Sequence, residues 1–321
     1  MSPSRKRLWL AAQAVLALAI FVAVGRHFWK LLDDDAIASL SIGPRAWYLI
    51  PTGLLYLGAH TIWGTYWWML LRHQKVQVAW TTGVRAYYVS QFGKYVPGKV
   101  WVLVLRMMIL HHVPGATKRI VGLTAMYETL INMAAGAMLA AVLIPYAGIG
   151  GEFTQGRVPF LIAAAALPLG LFGLVRLINR ITRLKYGADA QAVSNTPLWL
   201  LLVGVVQTAC GWCLLALSLR MITWVLWPAV PENYATELVS VTASYIVGFL
   251  AFFMPGGIGA RELVLQECLA WRLSGMGGNP AGHAVVIAVL LRLVWTAAEV
   301  LVAGSLYLST KLFRRKVENP R

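Results

Sequence analysis

The sequence predicts an all-α, polytopic membrane protein with about six full spans and two re-entrant helical hairpins. Of its 321 residues, 59% are hydrophobic and only 12% are charged, whereas a soluble domain carries about 25% charged residues. Apolar runs close to the ~20 residues of a spanning helix recur along the chain. Fourteen tryptophans suit aromatic belts at the two membrane interfaces. Together these features predict one membrane domain over residues 1–321.

The predicted full spans are the apolar segments at residues 8–24, 47–71, 120–146, 158–175, 197–219 and 284–308. The first follows a basic tripeptide and resembles a signal sequence. Its apolar run is long for a cleaved signal, so we expect a retained span. The basic residues from Arg176 to Lys185 are predicted to form a connector between the fourth and fifth spans.

Two Pro-Gly breaks interrupt apolar, helix-compatible segments, at Pro97-Gly98 and at Pro255-Gly256-Gly257. Proline lacks an amide proton and glycine relaxes the backbone, so a helix that ends at such a break leaves polar backbone groups unpaired. In a membrane those groups are tolerated where they are buried in protein or line a wet cavity. The arms, about residues 81–96 and 99–110 and then 238–272, therefore predict two re-entrant hairpins.

The two breaks also indicate an inverted repeat. A spacing of 158 residues relates Pro97 to Pro255 and Tyr87 to Tyr245. The same spacing relates a first unit, about residues 46–146, to a second, about 197–308, with the span at 158–176 between them. Units of opposite topology would bring their broken helices together near the midplane. The alternative is two independent kinks, since proline and glycine are common in membrane helices.

The basic residues predict the orientation of the chain. The net charge is +16, which in a soluble protein would suggest binding to nucleic acid. Here the lysines and arginines fall mainly in loops on one side of the predicted spans, as the positive-inside rule describes. This asymmetry predicts that both termini are cytoplasmic, in a bacterial inner or plasma membrane. We expect no nucleic-acid partner.

Several ionisable residues fall within or beside the predicted membrane segments, where a charge costs several kcal/mol. The candidates for binding a lipid headgroup are Lys94, Lys99, Arg106, Glu128, Arg261, Glu262, Arg292 and Glu299. Arg292 and Glu299 share one stripe of a helix, as do Glu128 and Asn132. Two alternatives remain: the glutamates neutralise the arginines in a structural ion-pair cage, or Lys94 extends to the cytoplasmic interface.

No motif in the sequence points to catalysis, a metal or a cofactor. Cys210-Gly-Trp-Cys213 lies within an apolar run without a βαβ unit, so these cysteines are expected to act as small hydrophobic residues and not as a redox motif. His111-His112 has no partner at metal-ligand spacing. The glycines around Gly257 follow no strand, which argues against a dinucleotide site. We therefore expect no catalytic residue, no metal and no cofactor.

The segment Tyr95-Val-Pro-Gly-Lys-Val-Trp101, together with Pro255-Gly-Gly-Ile-Gly-Ala-Arg-Glu262, resembles the lysylphosphatidylglycerol synthase transmembrane-region family of flippase-like proteins. Glu128 and Arg292 are similar to its acidic and basic intramembrane positions. The resemblance implies movement of a lipid between leaflets. Bifunctional relatives carry a soluble aminoacyl-transferase domain after their last span. The sequence ends shortly after its last predicted span, so we expect the translocation half alone.

These observations predict a translocator for a polar phospholipid or lipid-linked headgroup, which would enter a charged cavity between the two hairpins. The expected partners are membrane lipids with an anionic or lipid-linked headgroup, and a homodimer is possible. The rival hypothesis is a protein that transports nothing and presents a lipid-linked substrate to a glycosyltransferase or a lipid-modifying enzyme.

Overall fold

The computed structural model describes residues 43–95, 100–147, 157–186, 196–251, 259–275 and 279–318, with a few isolated positions, Gly257 among them. Within these ranges the regular structure is helical, as predicted. The α-helices, in chain order, are α1 Leu49–His73, α2 Trp80–Ser90, α3 Val100–Leu110, α4 Lys118–Leu143, α5 Arg157–Tyr186, α6 Leu198–Leu226, α7 Tyr234–Leu250, α8 Ala260–Leu273 and α9 Pro280–Glu318.

Three stretches of the described residues are long and apolar enough to cross a membrane: Lys118–Tyr146, Leu198–Leu226 and Pro280–Leu306. Helix α1 has 25 residues, which gives it a length of about 37 Å at 1.5 Å per residue. Helices α3 and α7 are apolar and shorter. The described part of the chain is thus a bundle of long apolar helices with short ones packed among them.

Helices α1 and α6 pack against each other in antiparallel directions. Thr52 contacts Ser218 near one end of the pair, and the Trp63 indole N–H donates to the carbonyl of Thr208, 3.2 Å away, further along. Residues later in α1 thus contact residues earlier in α6, which shows that the two helices run in opposite directions. Gly204 and Gly211 make this close packing possible, because a Cβ at either position would collide with an aromatic ring of α1.

The short helices form two similar pairs. Helix α2 continues into a 3₁₀ turn, Gln91–Tyr95, and packs against α3, while α7 packs against α8. Each pair contains a close backbone approach at a glycine. A Cβ on Gly93 would collide with the backbone of α3, and one on Gly257, which has φ +69°, would meet the backbone of Gly248. These contacts hold the two arms of each pair together.

The boundaries of two predicted elements change in the structure. The predicted span at 158–175 is part of α5, which continues to Tyr186, so the basic stretch predicted as a connector is helical to that residue. The second hairpin, predicted to begin at about residue 238, begins with α7 at Tyr234, so Glu237 lies in the first turn of α7, where the Asn233 side chain accepts a hydrogen bond from the Thr236 amide. The predicted span at 8–24 lies outside the described ranges, apart from one residue.

We expect Gly211→Ala to destabilise the bundle, because the added Cβ would collide with the Trp63 ring. Overpacking a buried helix contact costs about 1–3 kcal/mol. The melting temperature of the variant in detergent should fall by several degrees. It is measured by size-exclusion chromatography of samples heated to increasing temperatures.

Gly173→Ala in α5 is the matched control, since a Cβ there meets no atom within 4 Å. Its melting temperature should stay constant or rise slightly, because alanine is favoured over glycine in a helix by about 0.5–1 kcal/mol. Equal melting temperatures for Gly211→Ala and the parent protein would contradict the packing described for α1 and α6.

Candidate functional site

A cavity of about 490 Å³ lies between the two pairs of short helices. Helix α4 forms one long wall, from Gly122 to Met133, and α1 and α6 contribute Trp63 and Trp212. The charged side chains that line it are Lys94, Arg106, Glu128 and Arg261. Most of the remaining surface is aliphatic or aromatic, so the cavity combines a few charges with extensive apolar walls.

Arg106 and Glu128 form a buried ion pair at the α3–α4 side of the cavity. The guanidinium lies 3.3 Å from the carboxylate, and 3% and 4% of the two residues' surfaces are exposed. Arg106 also donates to the Ser90 hydroxyl at 3.2 Å, and the Tyr87 hydroxyl donates to Glu128 at 3.3 Å. The Arg106 guanidinium also stacks over the rings of Tyr87 and Trp67. These partners satisfy the charge of Arg106 within the protein.

Lys94 and Glu299 form a second ion pair, which joins the 3₁₀ turn after α2 to α9. Lys94 Nζ lies 2.7 Å from Glu299 Oε1, and the Tyr95 hydroxyl donates to the other carboxylate oxygen at 2.7 Å. Lys94 also donates to the Tyr56 hydroxyl at 3.4 Å. The amine of Lys94 is therefore held inside the protein against α1 and α9.

Glu262 and Arg292 form a third, longer pair between α8 and α9. Arg292 Nε lies 3.7 Å from one oxygen of Glu262, and the other oxygen accepts the Gly259 amide at 2.7 Å. Glu262 is the third residue of α8, so its carboxylate closes the N-terminus of that helix as in a capping box. The start of α8 thereby sets the position of the charge that Arg292 meets.

Arg261 is held by aromatic rings. It is 6% exposed, and its guanidinium carbon lies 3.3 Å from the centroid of Tyr245 and 4.8 Å from that of Trp295. Among the described residues, no carboxylate lies within ion-pair distance of it. Gly248 lets α8 approach α7 closely, since a Cβ there would sit 3.0 Å from the Arg261 Cβ. The arrangement presents a desolvated guanidinium at the cavity wall.

The arginines of α3 and α8 occupy comparable surroundings. Arg106 stacks on Tyr87 of α2, and Arg261 stacks on Tyr245 of α7. The two tyrosines are the residues related by the 158-residue spacing. The difference lies in the carboxylate: Glu128 pairs with Arg106, whereas the described surroundings of Arg261 supply no carboxylate within ion-pair distance.

The structure brings together most of the residues that the sequence singled out. Glu128 and Glu262 each pair with an arginine, as in the ion-pair alternative, whereas Glu299 pairs with Lys94. The candidates Pro97, Gly98, Lys99, Pro255 and Gly256 lie outside the described residues.

Sequence reasoning missed the aromatic shell around the charges, which includes His60, Trp67, Tyr95 and Trp295. Tryptophan and tyrosine are expected at membrane interfaces, so their number alone does not point to a cavity. The 158-residue spacing between Tyr87 and Tyr245 is the sequence signal that relates two rings of this shell, and by itself it indicates a repeat, not a cavity.

A separate buried charge cluster lies away from the cavity, between α6, α7 and α8. Glu237 is fully buried and lies 3.3 Å from Arg272 and 3.7 Å from Arg220. Arg272 also donates to the carbonyls of Asn233 and Pro231. This cluster fixes the start of α7 against the end of α8, which indicates a structural role.

Long apolar helices that enclose paired charges and a cavity define a polytopic helical membrane protein. Residues 9–303 match the family described as the lysylphosphatidylglycerol synthase TM region. The chain therefore belongs to this family, and it is an integral membrane protein whose family relates it to membrane lipids. No curated protein sequence matches the chain.

We expect Glu128→Gln to lower the melting temperature markedly, because it leaves the buried Arg106 without its carboxylate. Breaking a buried pair by removing one partner costs about 3–5 kcal/mol. Arg106→Met should destabilise the protein as well, whereas the double variant Arg106→Met/Glu128→Gln should recover much of the loss. The melting temperatures of the four proteins form a double-mutant cycle, and additive losses would show that the two side chains do not interact.

Proposed function

We propose that the protein translocates lipid headgroups between the leaflets of the membrane. The observation that carries this proposal is Arg261, a desolvated guanidinium at the wall of a cavity inside an apolar helical bundle. Phosphate oxygens accept charge-assisted hydrogen bonds from guanidinium groups. A phospholipid headgroup supplies such an anion, and the apolar lining suits the first part of its acyl chains.

The dimensions of the cavity suit a partial crossing. Its α4 wall runs from Gly122 to Met133, which corresponds to about 16 Å along a helix axis. A bilayer core is about 30 Å thick. The cavity would thus reach from one end of α4 to about the middle of the membrane. A headgroup bound at its inner end would lie near the bilayer midplane.

The order and packing of the helices support the inverted repeat within this proposal. Helices α1 to α4 and α6 to α9 follow the same order of long, short, short and long. The corresponding long helices α1 and α6 are antiparallel, as two units of opposite topology require. Corresponding pairs also make corresponding contacts: α4 packs against α6 and α7, and α9 packs against α1 and α2.

One pair of contacts departs from this symmetry. Helix α8 packs extensively against α9, whereas its counterpart α3 makes few contacts with α4, and the cavity lies beside α3 and α4. In an inverted repeat, exchange of the two arrangements would close this cavity and open its counterpart beside α8 and α9. Such an exchange moves a headgroup from one side to the other without altering the lipid.

The basic residues give this mechanism a direction. Lys118 and Arg119 begin α4 next to the cavity end at Gly122. If the positive-inside rule places them in the cytoplasm, the present arrangement opens to the cytoplasmic side. The proposal thus places both termini in the cytoplasm and needs no chemical step, so we expect transport of intact lipid. Its rival is a protein that presents lipid to a partner enzyme without moving it.

We expect Arg261→Ala to slow lipid movement at least tenfold in proteoliposomes. The assay reconstitutes the protein with acyl-chain-labelled phospholipid and measures the label that an impermeant quencher reaches over time. Arg72→Gln, an exposed arginine at the end of α1, is the matched control and should transport as the parent does. The melting temperature of each variant checks folding.

Three outcomes of this assay separate the hypotheses. Movement of intact lipid that depends on Arg261 supports the translocator. Chemically altered lipid indicates an enzyme, and a folded protein that moves no lipid supports the presenting partner. A folded Arg261→Ala variant that transports at the parental rate would remove Arg261 from the site.

We also expect a cysteine at Met126, on the cavity wall, to react with a membrane-impermeant thiol reagent added from the Lys118 side. The background protein would carry alanine at Cys210, Cys213 and Cys268. Leu54→Cys on the outer face of α1, where the side chain is exposed on the bundle surface, is the control and should stay unlabelled within the lipid. Labelling of Met126→Cys in inside-out vesicles but not in right-side-out vesicles would establish both the access and the orientation.

A further inference from the structure

We propose that the cavity selects lipids whose headgroup carries a net negative charge and disfavours lipids with an aminoacylated, net cationic headgroup. This inference rests on the proposed function and concerns the charge of its substrate. It follows from the balance of charges around the cavity, from the donors that are left over, and from the absence of an unpaired carboxylate among the described residues that line the cavity.

The charges in and beside the cavity do not cancel. The cations are Lys94, Arg106, Arg261 and Arg292, and the carboxylates are Glu128, Glu262 and Glu299. Three cation–carboxylate pairs use every one of these carboxylates. Among the described residues the remainder is Arg261, a single positive charge that the protein itself leaves uncompensated. In a low-dielectric interior such a charge favours an anionic ligand strongly.

The polar groups beside Arg261 also suit an anion. The hydroxyl of Tyr245 is buried, lines the same wall and donates to no acceptor among the described residues. A hydroxyl can donate to a phosphate oxygen while the guanidinium donates to others. Tyr245 stacks directly on Arg261, so the two donors lie at one place. Together they form a compact site for one phosphodiester.

A cationic headgroup finds no equivalent site. An ammonium group is bound by carboxylates, by neutral acceptors or by aromatic ring faces. Each carboxylate here already meets a lysine or an arginine, and the rings of Tyr87 and Tyr245 already face Arg106 and Arg261. Among the described residues of the cavity wall, the buried side-chain oxygens that remain available as acceptors are neutral, namely the Tyr245 hydroxyl and the side-chain oxygen of Asn132. The Asn132 oxygen can accept from a headgroup hydroxyl. To bind an ammonium strongly, the protein would have to open a buried ion pair and leave its arginine uncompensated.

The first test measures binding, independently of transport. The purified protein is mixed in detergent with dioleoyl-phosphatidylglycerol, dioleoyl-phosphatidylethanolamine or dioleoyl-lysyl-phosphatidylglycerol, which are anionic, zwitterionic and cationic. Native mass spectrometry counts the lipids retained. We expect the anionic lipid to bind at least tenfold more tightly than the cationic one. Equal or tighter binding of the cationic lipid would overturn the inference.

The variants assign the preference to Arg261. Arg261→Gln should lose at least tenfold in affinity for the anionic lipid and bind the three lipids about equally. Arg261→Lys keeps the charge and should keep the order of preference with weaker binding. Arg72→Gln should match the parent. If Arg261→Gln fails to fold, Arg261→Lys and the parent still decide the matter, because a cationic preference in either would contradict the inference.

The leaflet assay with the same lipids separates this inference from the proposed function. Faster movement of phosphatidylglycerol than of its lysyl derivative supports both. Movement of the lysyl derivative at the same or a higher rate leaves a translocator and overturns the charge selection. If no lipid moves while the anionic lipid alone binds, translocation fails and the anionic site stands.

Discussion

The cost of placing charge in hydrocarbon is the constraint on which the structure depends. A single charged side chain in the middle of a membrane costs at least about 3 kcal/mol, and this protein encloses several. It offsets that cost with ion pairs and aromatic rings. Arg106 is held by Glu128 and by the faces of Tyr87 and Trp67. Each pair joins two helices, so the same contacts that neutralise the charges also fix the walls of the cavity.

The antiparallel α1–α6 pair gives these charges a rigid support. Helix α1 contributes Trp63 and Tyr56 to the region around the cavity, and α6 contributes Trp212 and Ser218. The Trp212 indole donates to the Asn132 carbonyl of α4, and the Trp295 indole of α9 donates to Ser218. Indole donors thus satisfy polar groups within the apolar core and tie α4 and α9 to the central pair. These contacts hold α4, α6 and α9 together beside the cavity.

Arg261 differs from the other buried cations because its support carries no net charge. A ring face attracts a cation, with a strength of about 2 kcal/mol or more when the pair is desolvated, but it does not cancel the charge as a carboxylate does. The guanidinium is therefore oriented by Tyr245 and Trp295 and keeps its capacity to bind an anion. In the proposed function the α8 side of the cavity therefore receives the ligand, because on the α3 side Glu128 already neutralises the charge of Arg106.

The sequence by itself determined the all-helical membrane fold class and the charged positions, because hydrophobic run length and charge within apolar segments are local signals. It also pointed to the family. Only the tertiary structure decided which cation meets which carboxylate, since Lys94 and Glu299 lie 205 positions apart and no spacing rule relates them. The aromatic shell and the uncompensated charge of Arg261 likewise depend on how α1, α7, α8 and α9 pack in space. The balance of charges around a cavity depends on which side chains are neighbours in space. Helix packing, and not the order of residues along the chain, determines those neighbours.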